Sequence, residues 1–312
     1  MGTILTVSGP AGGTGKTTMA VNLAAALALY EKKVLVVDCD PRENATTWIR
    51  QTSPAHDRNL SSILKNTAEP ADVIEQTGLF WMDLVPAGFD LFYAAQSLAG
   101  DVSHQTRLKQ VVQQHFTTDY DYIIIDSPAS FGYLSMLALT AGDWIVVPLW
   151  PGRTSETDCQ NLLKLIQFIR KTHHIRLRIA GFIFNGCASA QDIQVFLKNN
   201  HLTWLADLVF ETFIPEDPVV ARSIGHHRPV VLEDINAPAG KAFLQFAMEI
   251  DSIFNREGEC LEIVPGPENP ATEKKSPREM MESKKRGSEK AEQLAANIAN
   301  MINEINRSEE AR

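Results

Sequence analysis

The sequence predicts an α/β fold: a doubly wound, mainly parallel sheet with helices on both faces. Three observations carry that prediction. Apolar runs of strand length alternate with helix-length segments through most of the chain, the pattern of a parallel sheet whose crossovers are helical. Two of these runs, Val34-Leu35-Val36-Val37 and Tyr122-Ile123-Ile124-Ile125, are continuously apolar and end in aspartate, as expected of strands buried on both faces. The third observation is a glycine-rich loop set between the first apolar run and the first helical one.

That loop reads Gly9-Pro10-Ala11-Gly12-Gly13-Thr14-Gly15-Lys16-Thr17-Thr18, after the apolar residues 4–7 and before the Ala/Leu-rich residues 19–29. Glycines at 12, 13 and 15 let the backbone turn its N–H groups inward around phosphate oxygens, and the start of the helix adds its positive dipole end. Lys16 can then reach β- and γ-phosphates, and the Thr17 hydroxyl is placed to ligate Mg²⁺. Gly12, Gly13, Thr14, Gly15, Lys16, Thr17 and Thr18 are therefore the candidate phosphate-binding residues. The strict pattern has glycine where this chain has Pro10, but the core of the motif is intact. A merely flexible strand-helix connection would not need Lys-Thr at its end.

The second strand ends in Asp38-Cys39-Asp40-Pro41, and acids at the carboxyl end of such a strand face the ligand crevice of an open α/β sheet. One acid is easily explained as a cap of the next turn; two are harder to explain that way. A polar connection follows over 42–47, then a short helix at 60–64, a short or edge strand at 80–86, and a helical stretch over 89–115 interrupted at Gly100-Asp101. Residues 120–126 form an apolar run closing on Asp126, and downstream of a glycine loop such a run is the Walker B pattern, whose carboxylate reaches the metal directly or through water. Further strands are expected at 143–149, 179–185 (ending at Asn185) and 208–215, with helices at 157–171 and 240–254.

Of 312 residues, 44% are hydrophobic, enough to bury a large core. The net charge is −9, of which −7 belongs to residues 1–254, so any nucleic-acid site must be a local patch. Cys39, Cys159, Cys187 and Cys260 lack the spacing of a zinc site and read as reduced, packed thiols of a cytosolic protein. No apolar run reaches bilayer length, and the chain enters a strand at once instead of a signal peptide.

The last part changes character. The division expected is a nucleotide-binding domain over 1–254, a Pro- and charge-rich disordered linker over 255–287, and an amphipathic helix over 288–312. In that helix Ala291, Leu294, Ile298, Met301 and Ile305 recur at spacings of 3 and 4, a stripe suited to docking on a partner, to self-association or to folding back on the body. Its polar face carries Asn297, Asn300, Asn303 and Glu304 instead of a basic array, which argues against a membrane.

Glycine loop, Asp38/Asp40 segment and Walker B together resemble the ParA/MinD family of dimerising ATPases over about residues 2–254, a P-loop NTPase fold of the SIMIBI type. The resemblance implies ATP and Mg²⁺ as cofactors. It implies that Asp40 positions the attacking water, that Lys16 and Thr17 hold phosphate and metal, and that Asp126 holds or senses the metal. Asp40 and Asp126 would act on the metal through water where they do not touch it, and Asn185 and Pro215 would lie near the adenine. The implied function is a slow ATP hydrolase that dimerises with ATP, binds nonspecific DNA, positions or partitions a cargo, and is stimulated by a partner protein, for which the C-terminal helix is the candidate docking element. Its expected place is the cytoplasm, on the nucleoid of a bacterium or archaeon.

Two departures from that family matter. Its signature lysine, which reaches the other subunit's phosphates, is Ala11 here. A cation acting across an interface is worth roughly a factor of 10³–10⁵ in rate, so a replacement is expected. The McdA ATPases are similar in lacking the lysine, and Arg153 and Lys164 are the candidates for a relocated trans-acting cation. The second departure is Glu216-Asp217 in a loop where relatives carry DNA-binding arginines; the remaining candidates are Arg170, Lys171, Arg176 and Arg178, and Arg222 and Arg228. The rival readings are a metabolic P-loop enzyme acting on a small molecule, and a MinD-like ATPase working at a membrane surface. An iron-protein type of electron-transfer ATPase is disfavoured because only Cys159 follows Walker B closely.

Overall fold

The computed structural model describes residues 1–50, 58–100, 102–173 and 177–255. The linker expected over 255–287, the helix over 288–312, Arg176 and Cys260 thus lie outside the described residues, apart from the backbone of Asn255. In chain order the elements are β1 (Thr3–Val7), α1 (Lys16–Leu29), β2 (Val34–Asp38), α2 (Asn44–Ile49), α3 (Leu60–Leu64), β3 (Glu75–Gln76), β4 (Met82–Val85), α4 (Asp90–Leu98), α5 (Arg107–His115) and β5 (Tyr122–Asp126). They continue with α6 (Tyr133–Ala141), β6 (Trp144–Leu149), α7 (Glu156–His173), β7 (Arg178–Phe184), α8 (Ala190–Asn199), α9 (Pro218–Gly225), α10 (Val230–Glu233) and α11 (Pro238–Asn255).

Seven strands of the described residues form one sheet in the order β3-β4-β2-β5-β1-β6-β7, with only the β3–β4 pair antiparallel. The doubly wound, mainly parallel sheet expected from the alternating runs is therefore present. β1 lies between β5 and β6, and chain order reverses on either side of it, which makes its carboxyl end a topological switch point where ligands bind in open α/β sheets. On one face Leu35, Val37, Ile123 and Ile125 pack with Leu60, Leu108, Val111 and Leu134 of the covering helices. α1 is buried all round from Met19 to Leu29, because alanines at every turn let it lie close to the sheet while α11 covers it from outside. Beyond β6, Leu162, Ile166 and Ile169 of α7 pack on Ile145, Val147, Ile179 and Phe182.

One expected strand is absent. A short 3-10 turn, Thr203–Leu208, leads into the segment 208–215, which has two isolated bridges, Phe182 with Val209 and Asn185 with Ile214. The reason is a competing acceptor. The amides of Glu211 and Thr212 donate to the Glu249 carboxylate of α11 at 2.7 and 3.1 Å, leaving only Phe210 and Ile214 to donate to β7 carbonyls. Edge-to-face contact of Phe210 with Phe246, ring centroids 5.0 Å apart, holds the same segment toward α11. The helical stretch expected over 89–115 divides into α4, a 3-10 turn (Val102–Thr106) and α5, with α4 ending just before Gly100; Asp101, the other residue of the expected break, lies outside the described residues.

A candidate nucleotide-binding site at the carboxyl edge of the sheet

Three parallel strands deliver their terminal residues to one place. In the β1–β5–β2 register Val7 pairs with Asp126, and Asp126 pairs with Asp38. The glycine loop leaves from Val7, the Asp38-Cys39-Asp40 turn from β2, and Asn185 follows β7 directly. Parallel pairing alone thus brings residues more than a hundred positions apart to one edge.

The loop takes the backbone angles that its glycines allow. Gly13 (φ +73°) and Gly15 (φ +88°) are left-handed, and Gly15 precedes α1 with no side chain capping the helix's first amides. Uncapped amides at a helix start, beside a left-handed glycine loop, form an anion cradle. Lys16 Nζ folds back to donate to the Ala11 carbonyl oxygen at 2.8 Å. Burial pushes the Lys16 ammonium below its ordinary pKa, with Arg42 adding to the effect and Asp126 and Asp40 opposing it.

Thr17 Oγ1 donates to Asp126 Oδ2 at 2.7 Å, while Asp126 Oδ1 is buried with no hydrogen-bond partner. A buried carboxylate oxygen left unpaired is costly, and it suits a cation. Burial first, and then the neighbouring Asp38, push the Asp126 carboxyl well above the usual carboxylate range, against the Thr17 hydrogen bond and the Lys16 charge. A hydroxyl and a carboxylate side by side are the hard oxygen donors that Mg²⁺ takes, with phosphate and water completing its shell. Among the described residues no group of three or more His, Cys, Asp and Glu could hold a metal by itself.

Asp38 is fully buried and accepts from the Asp40 amide (3.0 Å), the Thr46 amide (2.8 Å) and Thr46 Oγ1 (2.8 Å). Burial nevertheless raises it to about 6. Thr46 Oγ1 in turn accepts the Ala87 amide at 2.9 Å, so Asp38 ties α2 to the end of β4. Asp40 is held by Arg42, whose Nε lies 3.1 Å from both carboxylate oxygens and whose Nη2 lies 2.5 Å from Oδ2. Arg42 is the functional neighbour that sequence reasoning missed.

Asn185 is buried and donates from Nδ2 to the Thr14 carbonyl oxygen at 2.8 Å, while its Oδ1 has no partner. Pro215 follows Ile214, which is bonded to both sides of Asn185, so these two residues sit together beside the loop. Of the two candidate replacement cations, Arg153 touches the loop: its Nη1 donates to the Gly13 carbonyl oxygen at 2.9 Å, within one chain. Lys164 is exposed midway along α7.

The basic candidates fall into two separate settings. Arg178 opens β7 at the amino edge of the sheet and stacks on Trp144, and Arg170 donates to the Leu177 carbonyl oxygen next to it; Lys171 is exposed at the end of α7. Arg222 lies 3.9 Å from Glu233, and the Arg228 carbonyl oxygen accepts Trp48 Nε1 of α2 at 3.0 Å. The latter segment is further tied to α2 by the His227 ring, 2.7 Å from the Thr47 carbonyl oxygen. Cys39, Cys159 and Cys187 are free and buried, and no described helix is long and apolar enough to cross a membrane.

A family model described as "AAA domain" matches residues 2–179. The sporulation initiation inhibitor protein Soj of Bacillus subtilis is 31% identical over 250 residues, which make up 80% of this chain and 98% of Soj. The chain belongs to the ParA/MinD family of P-loop ATPases. Among solved structures of that family, the septum site-determining protein MinD of Pyrococcus horikoshii, complexed with Mg-ADP, is 26% identical with a TM-score of 0.66, covering 83% of this chain and 100% of that one. The fold also extends to cobyrinic acid a,c-diamide synthase of Mycobacterium smegmatis, which is 23% identical with a TM-score of 0.68 over 82% of this chain and 96% of that one.

Proposed function

We propose that this ParA/MinD-family member hydrolyses ATP with Mg²⁺ in order to position or partition an intracellular cargo. The observation that carries the reading is the Thr17–Asp126 pair, with Asp126 Oδ1 unpaired at the mouth of an uncapped glycine loop. Thr17 and Asp126 hold the metal, Asp126 directly or through water. Amides of residues 12–18 and the Lys16 ammonium hold the phosphates, and Asn185 and Pro215 border the base. The bound metal supplies charge neutralisation at the phosphates. Asp40, itself able to reach the metal through water, orients the attacking water once Arg42 releases it. Arg153, rather than Lys164, compensates for the charge that Ala11 lacks, acting on the loop of its own subunit.

We infer the finer cycle from the resemblance to the ParA/MinD family. With ATP the chain forms a homodimer in the cytoplasm that binds nucleoid DNA without sequence preference, through Arg170, Lys171, Arg176 and Arg178 and through Arg222 and Arg228. A partner protein, received by the 288–312 segment beyond the 255–287 linker, stimulates an otherwise slow hydrolysis and releases the dimer. The domain over 1–254 carries all the chemistry. Light scattering with ATP and Mg²⁺, beside turnover with and without DNA, tests this cycle. Dimerisation with DNA-dependent retention is expected, whereas turnover of a small-molecule substrate by a persistent monomer would favour a metabolic enzyme.

A further inference from the structure

Trp150-Pro151-Gly152-Arg153, which follows β6, forms a tight turn. The Arg153 amide donates to the Trp150 carbonyl oxygen at 3.0 Å, and Gly152 has φ +81°. Proline second and left-handed glycine third is the arrangement of a type II turn. The Trp150 amide donates to Thr154 Oγ1 at 3.2 Å, fixing the base of the turn.

The turn folds the Arg153 guanidinium over the Trp150 ring, 4.8 Å from its centroid. The ring also lies against Gly186, where an added Cβ would come within 2.5 Å of it. From this platform Nη1 reaches the Gly13 carbonyl oxygen, and an added Cβ on Gly13 would stand 3.1 Å from Nη1. Gly13 thus serves both the loop's backbone angle and the room the guanidinium needs.

Two successive loop carbonyls are therefore held from outside the loop: that of Gly13 by Arg153, and that of Thr14 by Asn185. In a trans peptide the carbonyl and the following N–H point in opposite directions. Holding those two carbonyls turns the amides of Thr14 and Gly15 away from Arg153 and Asn185. These amides belong to the phosphate cradle.

We infer that Arg153 is a positioning residue for the phosphate loop of its own subunit, with Trp150 as its platform, and that the ligand it prepares for is a nucleoside di- or triphosphate. The inference rests on the nucleotide reading above and deepens it: Arg153 acts already in a single subunit, before any dimer forms.

The test is calorimetric titration of the purified full chain with ADP and Mg²⁺ at a protein concentration where it is monomeric. Arg153→Ala weakens ADP binding about tenfold, the effect of losing one charge-assisted hydrogen bond. Trp150→Leu weakens it in the same direction, and the double variant is within about twofold of the worse single one, because both act through one contact. Arg153→Lys recovers part of the loss, since an ammonium reaches the carbonyl but does not stack as a guanidinium does. When Arg153→Ala and Lys16→Ala chains are mixed, ATP turnover does not recover, because each subunit's own loop is defective. Unchanged ADP affinity in Arg153→Ala, or turnover in the mixture above that of either variant alone, overturns the inference in favour of a role across the dimer. A wild-type chain that takes up no ADP overturns the nucleotide reading itself and so separates the two failures.

Discussion

Thr17 Oγ1 donates a 2.7 Å hydrogen bond to Asp126 Oδ2 across 109 positions of sequence, and the other oxygen of that carboxylate is buried and unpaired. The pair joins the end of the glycine loop to the end of β5. Without a cation the carboxylate is held at a cost, because burial and Asp38 both disfavour its charge.

Asp126→Asn is accordingly expected to stabilise the ligand-free chain, by about 1 kcal/mol or a rise of about 2–4 °C in Tm. The same substitution should weaken Mg²⁺-dependent nucleotide binding at least tenfold. Thermal melts with and without Mg-ADP check both halves; a variant less stable than wild type without ligand would show that the carboxylate charge is well solvated after all.

Asp38 gives a pH dependence with a definite sign. Its pKa is raised by burial from an ordinary 3.8 to about 6, so the folded state binds the proton more tightly than the unfolded one. This contribution to stability is full below about pH 4 and is lost as pH rises through about 6. The loss is on the order of 2–3 kcal/mol for this group. Urea denaturation of wild type and Asp38→Asn between pH 4.5 and 7.5 isolates it. Wild type should lose stability relative to the variant as pH rises, and a constant difference would contradict the assignment.

Arg42 holds both oxygens of Asp40 while its own side chain is 59% exposed. An exposed partner restrains without contributing much stability. Arg42→Gln should therefore leave the melting temperature within about 1–2 °C of wild type and raise unstimulated ATP turnover several-fold, by freeing Asp40 to orient water. A steady-state phosphate-release assay decides; a fall in turnover would make Arg42 a contributor to the transition state instead of a restraint on Asp40.

The Arg222–Arg228 segment is linked to α2 by Trp48 Nε1 and the His227 ring, and α2 is linked to Asp38 through Thr46. If this segment touches phosphates, Arg228→Ala lowers affinity for random-sequence DNA and reduces the slope of log K against log salt by about 1. Trp48→Phe, which keeps the ring but loses the hydrogen bond, should weaken ATP-dependent DNA binding while ATP turnover persists. Filter binding over a salt series measures both, and an unaltered slope in Arg228→Ala would remove this segment from the DNA surface.

Much of the site was legible because a parallel sheet sends strand ends to one edge. Once residues 34–37 and 122–125 read as buried strands, Asp38, Asp40 and Asp126 had to meet the glycine loop, and Asn185 had to join them after β7. What depended on partners far away in sequence was not legible. The segment 208–215 has a strand's composition, but Glu249 of α11 takes two of its amides. Arg42 looked like part of a polar connection because nothing in its neighbours announces a clamp on Asp40. The Pro151-Gly152 pair did carry a turn signal that could have placed Arg153 beside Trp150. Its contact with Gly13 required the fold. The stripe from Ala291 to Ile305 lies outside the described residues, and its role rests on its sequence alone.

ATP turnover by the purified chain with Mg²⁺, with Lys16→Ala and Thr17→Ala beside it and light scattering recorded on the same samples, decides whether the glycine loop drives a nucleotide cycle. Slow turnover and ATP-dependent dimerisation are expected in wild type, both abolished in Lys16→Ala and both lost on chelation of Mg²⁺. ATP turnover that survives Lys16→Ala, or a wild-type chain that neither hydrolyses ATP nor dimerises with it, would rule out a positioning ATPase built on this loop.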